Sequence, residues 1–319
     1  MTTGNDTART TVVVVTWRGR EHVTACLDAV AGQTRAHRIL VVDNASDDGT
    51  AALLAAHPSR PAVTRLGTNL GYAGGLAAAL PDVGTEFVAW LNDDAVPAPD
   101  WLALLEDALD KDQGAAAASA RMETAGGEPI SLGVTLTADG HGADTTDTGT
   151  ETTGVFGFCG GAALLRTEAL RRVGGVPAEF FCYYEDTDTS WRLRLGGWTV
   201  LPVPDARVVH RHGASSRPGS REFHRWNERN RLYMLIRCAP AGVAARECAR
   251  FAALTAVLPL RRLAGRNLPP AWNFRTGLRV QVLTEVLTRL IPLTRQRRAI
   301  TARAVVPRPV VWSSANPPR

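Results

Sequence analysis

A chain of 319 residues, 45% hydrophobic and 21% charged, has the makeup of a globular protein and excludes a disordered one. Its net charge of +5 hides a split: residues 1–200 carry 14 basic and 26 acidic side chains (net −12), and residues 201–319 carry 22 arginines and 5 acids (net +17). The acidic first part and the lack of any nucleic-acid-binding motif exclude a nucleic-acid binder, and five scattered cysteines without a CxxC pair exclude a disulfide framework or zinc site.

The start shows no signal-peptide pattern, so a reducing cytoplasmic setting is expected. "TTVVVVTW" (10–17) is a continuous β-branched run, the mark of a buried parallel strand. A helix near 20–31 and a strand in "HRILVVDNAS" follow. "SDDGTAALLAAH" reads as a capped helix with Ser46 at its N-cap. A short strand near 62–66, an Ala-rich helix near 73–80 and the strand "EFVAWLNDD" continue the alternation. The pattern predicts an α/β fold with a Rossmann-like, mostly parallel sheet flanked by helices. Residues 138–154, rich in Gly, Thr and Asp, read as a mobile surface loop. Beyond Arg221 the chain becomes Arg-rich and helical, and the last dozen residues read as a tail. The expected division is a nucleotide-binding and catalytic unit over 1–220 and a basic helical extension over 221–319.

In open parallel sheets ligands gather beyond the carboxyl ends of the strands. Thr16, Asp43, Asn92, Asp93 and Asp94 occupy such ends. Adjacent carboxylates after an apolar strand suit a hard cation, Mg²⁺ or Mn²⁺; a turn or helix cap would use the same residues. "NLGYAGG" (69–75) is a Gly-rich turn that lacks the spacing of a dinucleotide fingerprint. In "FFCYYEDTDTSWRLRLGGW" (180–198), Glu185 and Asp186 open a helix, where the macrodipole favours carboxylates. Beside aromatics such a carboxylate gains basicity, which suits a general base. Asp188 reads as part of an acidic, solvated first turn. His210 and His212 share one side of a β-like run, which leaves metal or phosphate contact open.

Six stretches taken in order, from "VVVVTWRGREHVTACLDAVAGQT" through "ILVVDNASDDGT", "NLGYAGG", "WLNDDAVP" and "GFCGGAALLRTEALRRVGGVPAEFFCYYEDTDTSWRLRLGGW" to "VVHRHGASS", resemble the family-2 glycosyltransferases of the GT-A fold. The rhamnosyltransferase-like branch is the most similar. The resemblance implies an inverting sugar transfer from a dTDP- or UDP-linked donor, dTDP-rhamnose included, to a hydroxyl of a glycan, lipid-linked or small-molecule acceptor. Asp43 would then accept the imino N–H of the base. Thr16, Asn69, Gly71, Gly74, Asn92 and Asp93 would hold the donor, and Asp94 and His210 the metal. Asp186, next to Glu185, would be the base, with Gly160, Gly161 and Trp191 on the acceptor side. Asn92 departs from the pattern by standing where the first acid of the Asp-x-Asp motif is expected. A non-catalytic nucleotide-sugar-binding or scaffold protein is the competing reading. For the basic third, the partners expected are an anionic membrane surface at the inner face of the cell membrane or a homodimer interface, with ordinary helix packing as the alternative. Its longest apolar run, "FAALTAVLPL" (251–260), is about half of the ~20 residues a membrane span needs.

Overall fold

A computed structural model describes residues 8–146, 155–210 and 218–316. The chain starts with β1 (Thr10–Thr16), α1 (Val23–Ala31), β2 (His37–Asp43), α2 (Thr50–Ala56), β3 (Ala62–Arg65) and α3 (Gly71–Ala79). It continues with β4 (Phe87–Asn92), β5 (Ala95–Pro97), α4 (Trp101–Lys111), β6 (Ala115–Glu123) and β7 (Pro129–Ser131). Next come β8 (Gly133–Leu136), β9 (Gly142–Thr145), β10 (Ala162–Arg166), α5 (Thr167–Arg172), α6 (Glu185–Leu195) and β11 (Thr199–His210). Five helices end the chain: α7 (Arg221–Cys238), α8 (Ala241–Leu263), α9 (Thr276–Thr288), α10 (Leu290–Arg303) and α11 (Arg308–Ala315).

The main sheet runs β3-β2-β1-β4-β10-β6-β11-β5, with β7 on β6. β3, β2, β1 and β4 pair in parallel, as do β6 and β11, while β10 lies antiparallel between β4 and β6. The sheet is therefore mostly parallel with helices on both faces, as the strand–helix alternation implies. β1 shows why its run is unbroken: Val12 and Val14 enter one core layer, Val13 and Val15 the other. A third apolar cluster joins α6 to α7–α11 through Trp191, Leu232, Leu235, Val282 and Leu293.

Four local expectations are corrected. Ser46 does not cap α2, whose N-cap is Gly49; its hydroxyl instead accepts the Arg18 N–H. Residues 142–145 form β9, paired with β8, rather than loop; positions 147–154 and His212 lie outside the described residues. Residues 308–315 are α11 and no tail, because Trp312 stacks on Trp191 at 5.9 Å between ring centroids; positions 317–319 lie outside the described residues.

Asp188 is the fourth: it is fully buried, not solvated. It accepts from Arg192 at 2.7 Å and lies 3.3 Å from Arg237, which also holds Glu179 at 2.9 Å. Removing the central carboxylate leaves the buried Arg192 guanidinium without an acid and Arg237 with Glu179 alone. Asp188→Ala is therefore expected to lower unfolding free energy by ~3–5 kcal/mol, the cost of breaking a buried pair. Urea denaturation followed by far-UV circular dichroism measures it; an unchanged midpoint would show that water reaches the cluster.

Candidate active site

The carboxyl ends of β1, β2 and β4 form one rim, because register sets Thr16 opposite Asp43 and Val15 opposite Asn92. Asp43 is buried. Its Oδ1 accepts the Ser46 N–H at 2.9 Å, and its Oδ2 lies 3.1 Å from the Arg65 guanidinium without hydrogen-bond alignment. One buried carboxylate oxygen thus keeps acceptor capacity, which fits an imino N–H. Arg65 ends β3 directly opposite Asp43 and also donates to the Ser46 carbonyl.

Asn44, beside Asp43, ties the Gly-rich turn to β2. Its amide donates to the Gly71 carbonyl at 3.0 Å and its Oδ1 accepts from Leu70 N–H at 3.1 Å. Asn69 closes the turn on the Gly71 N–H at 2.8 Å. Gly71 is left-handed at φ +73°, and a Cβ there would collide with the Phe181 carbonyl. Gly74 is buried against Leu70. These two glycines let the turn pack closely on its neighbours, whatever else they contact.

At the end of β4, the Thr16 hydroxyl donates to Asp93 Oδ2 at 2.6 Å. Burial, helped by the charge of Asp94 and opposed by Thr16, pushes the Asp93 carboxyl up to about 7. Gly19 makes room for this contact, since a Cβ there would strike both side chains. β11 pairs with β5 so that His210 faces Ala95, which carries the imidazole to Asp94. His210 Nε2 lies 3.0 Å from Asp94 Oδ1 and 3.2 Å from Asn92 Nδ2. A neutral imidazole nitrogen either donates to Asp94 or accepts from Asn92, not both. A cation between carboxylate and imidazole removes that conflict, so the donor set fits a divalent metal. The described residues contain no group of three or more His, Cys, Asp or Glu arranged for a metal, so Asp94 and His210 would be a two-residue anchor.

The turn before α6 is unusual in its backbone. Phe181, Tyr183 and Tyr184 have φ of 67°, 71° and 69°, the left-handed region that non-glycine residues avoid. From α7, the Asn230 amide donates to the carbonyls of Phe180, Cys182 and Tyr183 at 2.9, 2.8 and 2.8 Å, and Arg229 adds a bond to Phe180 at 2.7 Å. Asp186 follows at the start of α6. Its Oδ2 accepts the Gly160 N–H at 2.9 Å, and its Oδ1 accepts the Thr187 N–H at 2.5 Å and hydroxyl at 3.0 Å. Burial raises its pKa while those donors pull it back. Tyr72 donates to the Gly160 carbonyl at 2.6 Å, and the Gly161 carbonyl accepts the Asn92 N–H at 3.0 Å. Two successive glycines therefore link the Asp186 carboxylate to the strand end that carries Asn92, Asp93 and Asp94.

Trp191 is not with them. It is fully buried, edge-on to Phe156 and stacked on Trp312, so it packs α6 against α11 and offers no acceptor surface. Sequence reasoning missed Asn230, Arg229, Arg65, Gly19 and Asn44; only Asn44 carried a signal, as the neighbour of Asp43 in "VVDNAS". Beside the strained turn opens a cavity of about 570 Å³, lined among others by Asn69, Phe181, Arg225, Trp226 and Arg229.

Residues 11–174 match the family described as Glycosyl transferase family 2. The chain belongs to this family. A polyprenol monophosphomannose synthase of Mycolicibacterium smegmatis is 27% identical over 242 residues, 71% of this chain and 89% of that one. An N-acetylglucosaminyl-diphospho-decaprenol L-rhamnosyltransferase of Mycobacterium tuberculosis is 42% identical over 57 residues, but the match spans only 18% of either chain. Among solved structures, the mannosyltransferase PcManGT from Pyrobaculum calidifontis, in complex with GDP-Man and Mn²⁺, has a TM-score of 0.54 at 21% identity. That match covers 96% of this chain and 85% of the neighbour, and it shows a shared GT-A fold.

Glu185 adds a pH signature to this family-2 site. It is buried, its Oε2 has no hydrogen-bond partner, and burial followed by the charge of Asp186 pushes it up to about 8. Tyr72 and Cys182 also feel its charge, and neither can compensate it as a cation. The folded state then holds a proton that the unfolded state releases near 4.5, so stability falls as pH rises from about 4.5 towards 8. Glu185→Gln is expected to match the parent melting temperature at acidic pH and to exceed it at pH 8–9 by at least ~2–4 °C, the response to ~1 kcal/mol in a chain of this size. A constant offset across a pH series of thermal melts would refute the assignment.

Proposed function

We propose that this family-2 protein transfers a sugar from a nucleotide-activated donor to an acceptor hydroxyl with inversion. Asp186 serves as general base, and Asp94 with His210 anchors Mg²⁺ or Mn²⁺. The observation that carries the reading is the network in which Gly160 and Gly161 tie the Asp186 carboxylate to the strand end bearing Asp94 and His210. In one displacement the acceptor oxygen bonds to the anomeric carbon while the bond from that carbon to the diphosphate oxygen breaks. Asp186 takes the hydroxyl proton, and the nucleoside diphosphate leaves with the bond's electron pair. Three donors fix the carboxylate in place, and burial keeps it basic. When bound, the cation neutralises charge on the leaving diphosphate.

Asp43 would recognise the base through Oδ2, which suits the N3–H of uracil or thymine and equally the N1–H of guanine. Rhamnose as the transferred sugar rests on the short resemblance to the mycobacterial rhamnosyltransferase. The acceptor hydroxyl, on a glycan or a lipid-linked glycan, is assigned to the side of Gly160 and the cavity bordered by Trp226, with the helices from residue 221 as its wall.

Asp186→Asn should reduce turnover ~10²–10⁴-fold, the usual contribution of a general base, with donor affinity nearly unchanged. Screening donor hydrolysis and transfer across dTDP-, UDP- and GDP-sugars, followed by rate and calorimetric affinity, tests this; near-normal turnover would remove Asp186 from the chemistry. Asp94→Ala should weaken Mn²⁺ binding in the presence of nucleoside diphosphate. The expected loss is at least the ~10–100-fold that removal of an outer-shell partner costs, read from the electron paramagnetic resonance of free Mn²⁺. Unchanged Mn²⁺ affinity would place the metal elsewhere.

A further inference from the structure

Two groups stand out among the arginines of the last five helices. Those of the interior are committed: Arg231, Arg279, Arg297 and Arg308 donate to backbone carbonyls, and Arg225 pairs with Glu285. A second group sits where α8 ends and the chain turns through Trp272–Phe274 into α9. Between Glu247 and Glu285 there is no acid, while six arginines occur. Five of them are exposed, Arg250 near Glu247 and, at the tip, Arg261, Arg262, Arg266 and Arg275. Of the four at the tip, only Arg262 has a side-chain partner among the described residues, the Phe274 carbonyl at 2.8 Å; that bond joins the end of α8 to the turn and makes them one tip.

The apolar residues of the same tip face outwards. The inner side of α8 is filled by Phe251, Thr255 and Leu258, yet the outer side of its last turns carries Val257, Leu260 and Leu263, spaced three apart on one face. Leu260 is 64% exposed, Leu263 85% and Trp272 43%. A helix end that presents leucines to water should be costly by ~25 cal/mol per Å² of apolar surface left uncovered. Here the leucines alternate with cations that have no acid beside them. No helix among the described residues is long and apolar enough to cross a membrane.

We propose that this tip docks on an anionic phospholipid bilayer, with Leu260, Leu263 and Trp272 entering the headgroup–acyl boundary and Arg261, Arg262, Arg266 and Arg275 on the lipid phosphates. An apolar ridge flanked by arginines is the arrangement of an interfacial amphipathic segment. A second copy of the chain is a poor occupant, because two acid-free arginine clusters repel each other. The inference stands on surface chemistry and does not depend on the identity of the donor or of the base.

The test is co-sedimentation of the full chain with phosphatidylglycerol–phosphatidylcholine vesicles and with phosphatidylcholine vesicles across a salt series. Binding is expected to the anionic vesicles alone, weakening steeply with salt. The variant R261Q/R266Q/R275Q should lower the partition coefficient ~10²-fold through lost attraction to the anionic surface. Leu263→Asp should also abolish binding, while both variants keep the parent melting temperature and donor affinity. Quenching of fluorescence by brominated acyl chains, lost in Trp272→Phe, would place the tip inside the boundary. Equal partition with both lipids at low salt, or binding unaffected by the arginine variant, overturns the proposal. So does a concentration-dependent dimer in sedimentation equilibrium that Leu263→Asp dissociates.

Discussion

One side-chain amide holds the turn on which the candidate site depends. Asn230 has two N–H hydrogens and three carbonyls within 2.9 Å, all from the segment that leads into α6. That segment contains three non-glycine residues in the left-handed region, each costing on the order of 1–3 kcal/mol. Buried carbonyls left without donors would add ~1–3 kcal/mol apiece, so the amide, with Arg229 beside it on the Phe180 carbonyl, offsets part of that cost. The strain has a geometric product. The chain reverses sharply enough for α6 to begin with Glu185 and Asp186 inside the protein, in its first turn, where the helix dipole favours a carboxylate.

The same turn explains why the Gly-rich stretch has the sequence it has. Gly71 lies against the Phe181 backbone, and Asn44 grips the stretch from the other side. The end of β2, the Gly-rich stretch and the turn before α6 therefore form one packed unit, and a shift in any of them moves Asp43 relative to Asp186. β10 completes the arrangement from the middle of the sheet. Because it runs antiparallel beside β4, its leading glycines reach the end of β4 and meet both Asn92 and Asp186. Residues from strands of opposite direction thus share one rim, which a purely parallel sheet would not provide.

Much of this was legible in the sequence. The valines of β1 had to be buried on both faces, and acids at the ends of β2 and β4 had no packing role to explain them. The rest depended on partners distant in the chain. Asn230 lies 47 to 50 positions from the carbonyls it holds, and nothing in "NERNR" marks it. Asp188 misled for the same reason: an acid in a first helical turn reads as solvated until Arg192 and Arg237 are seen to enclose it. Trp191 misled in the opposite sense, because proximity to Asp186 along the chain does not carry to the opposite face of the helix. The C-terminal segment looked like a tail because its prolines hide a two-turn helix, held by the Trp312 stack, the buried Val311 and the Arg308 bonds.

The excess of positive charge in the last third is then less of a surface property than its count suggests. Helix ends leave carbonyls without partners, and five successive helices create many such ends. Arg297 reaches the carbonyls of Ile236 and Ala239, and Arg308 reaches that of Arg237, so two guanidinium groups cap the last turn of α7. Arg279 does the same work in the interior, bonding the Phe251 and Asn273 carbonyls while stacking on the Phe251 ring at 3.7 Å. A planar fork that serves two acceptors at once, and tolerates an aromatic face, is a task for arginine and not for lysine. It suits these helices, which are basic inside as well as outside, in a chain whose single lysine, Lys111, lies outside them. Exposed arginines also stand elsewhere on these helices, at Arg246, Arg250, Arg289, Arg295, Arg298 and Arg303, so it is the clustering of cations beside uncovered leucines at the end of α8, and not the net charge, that carries information.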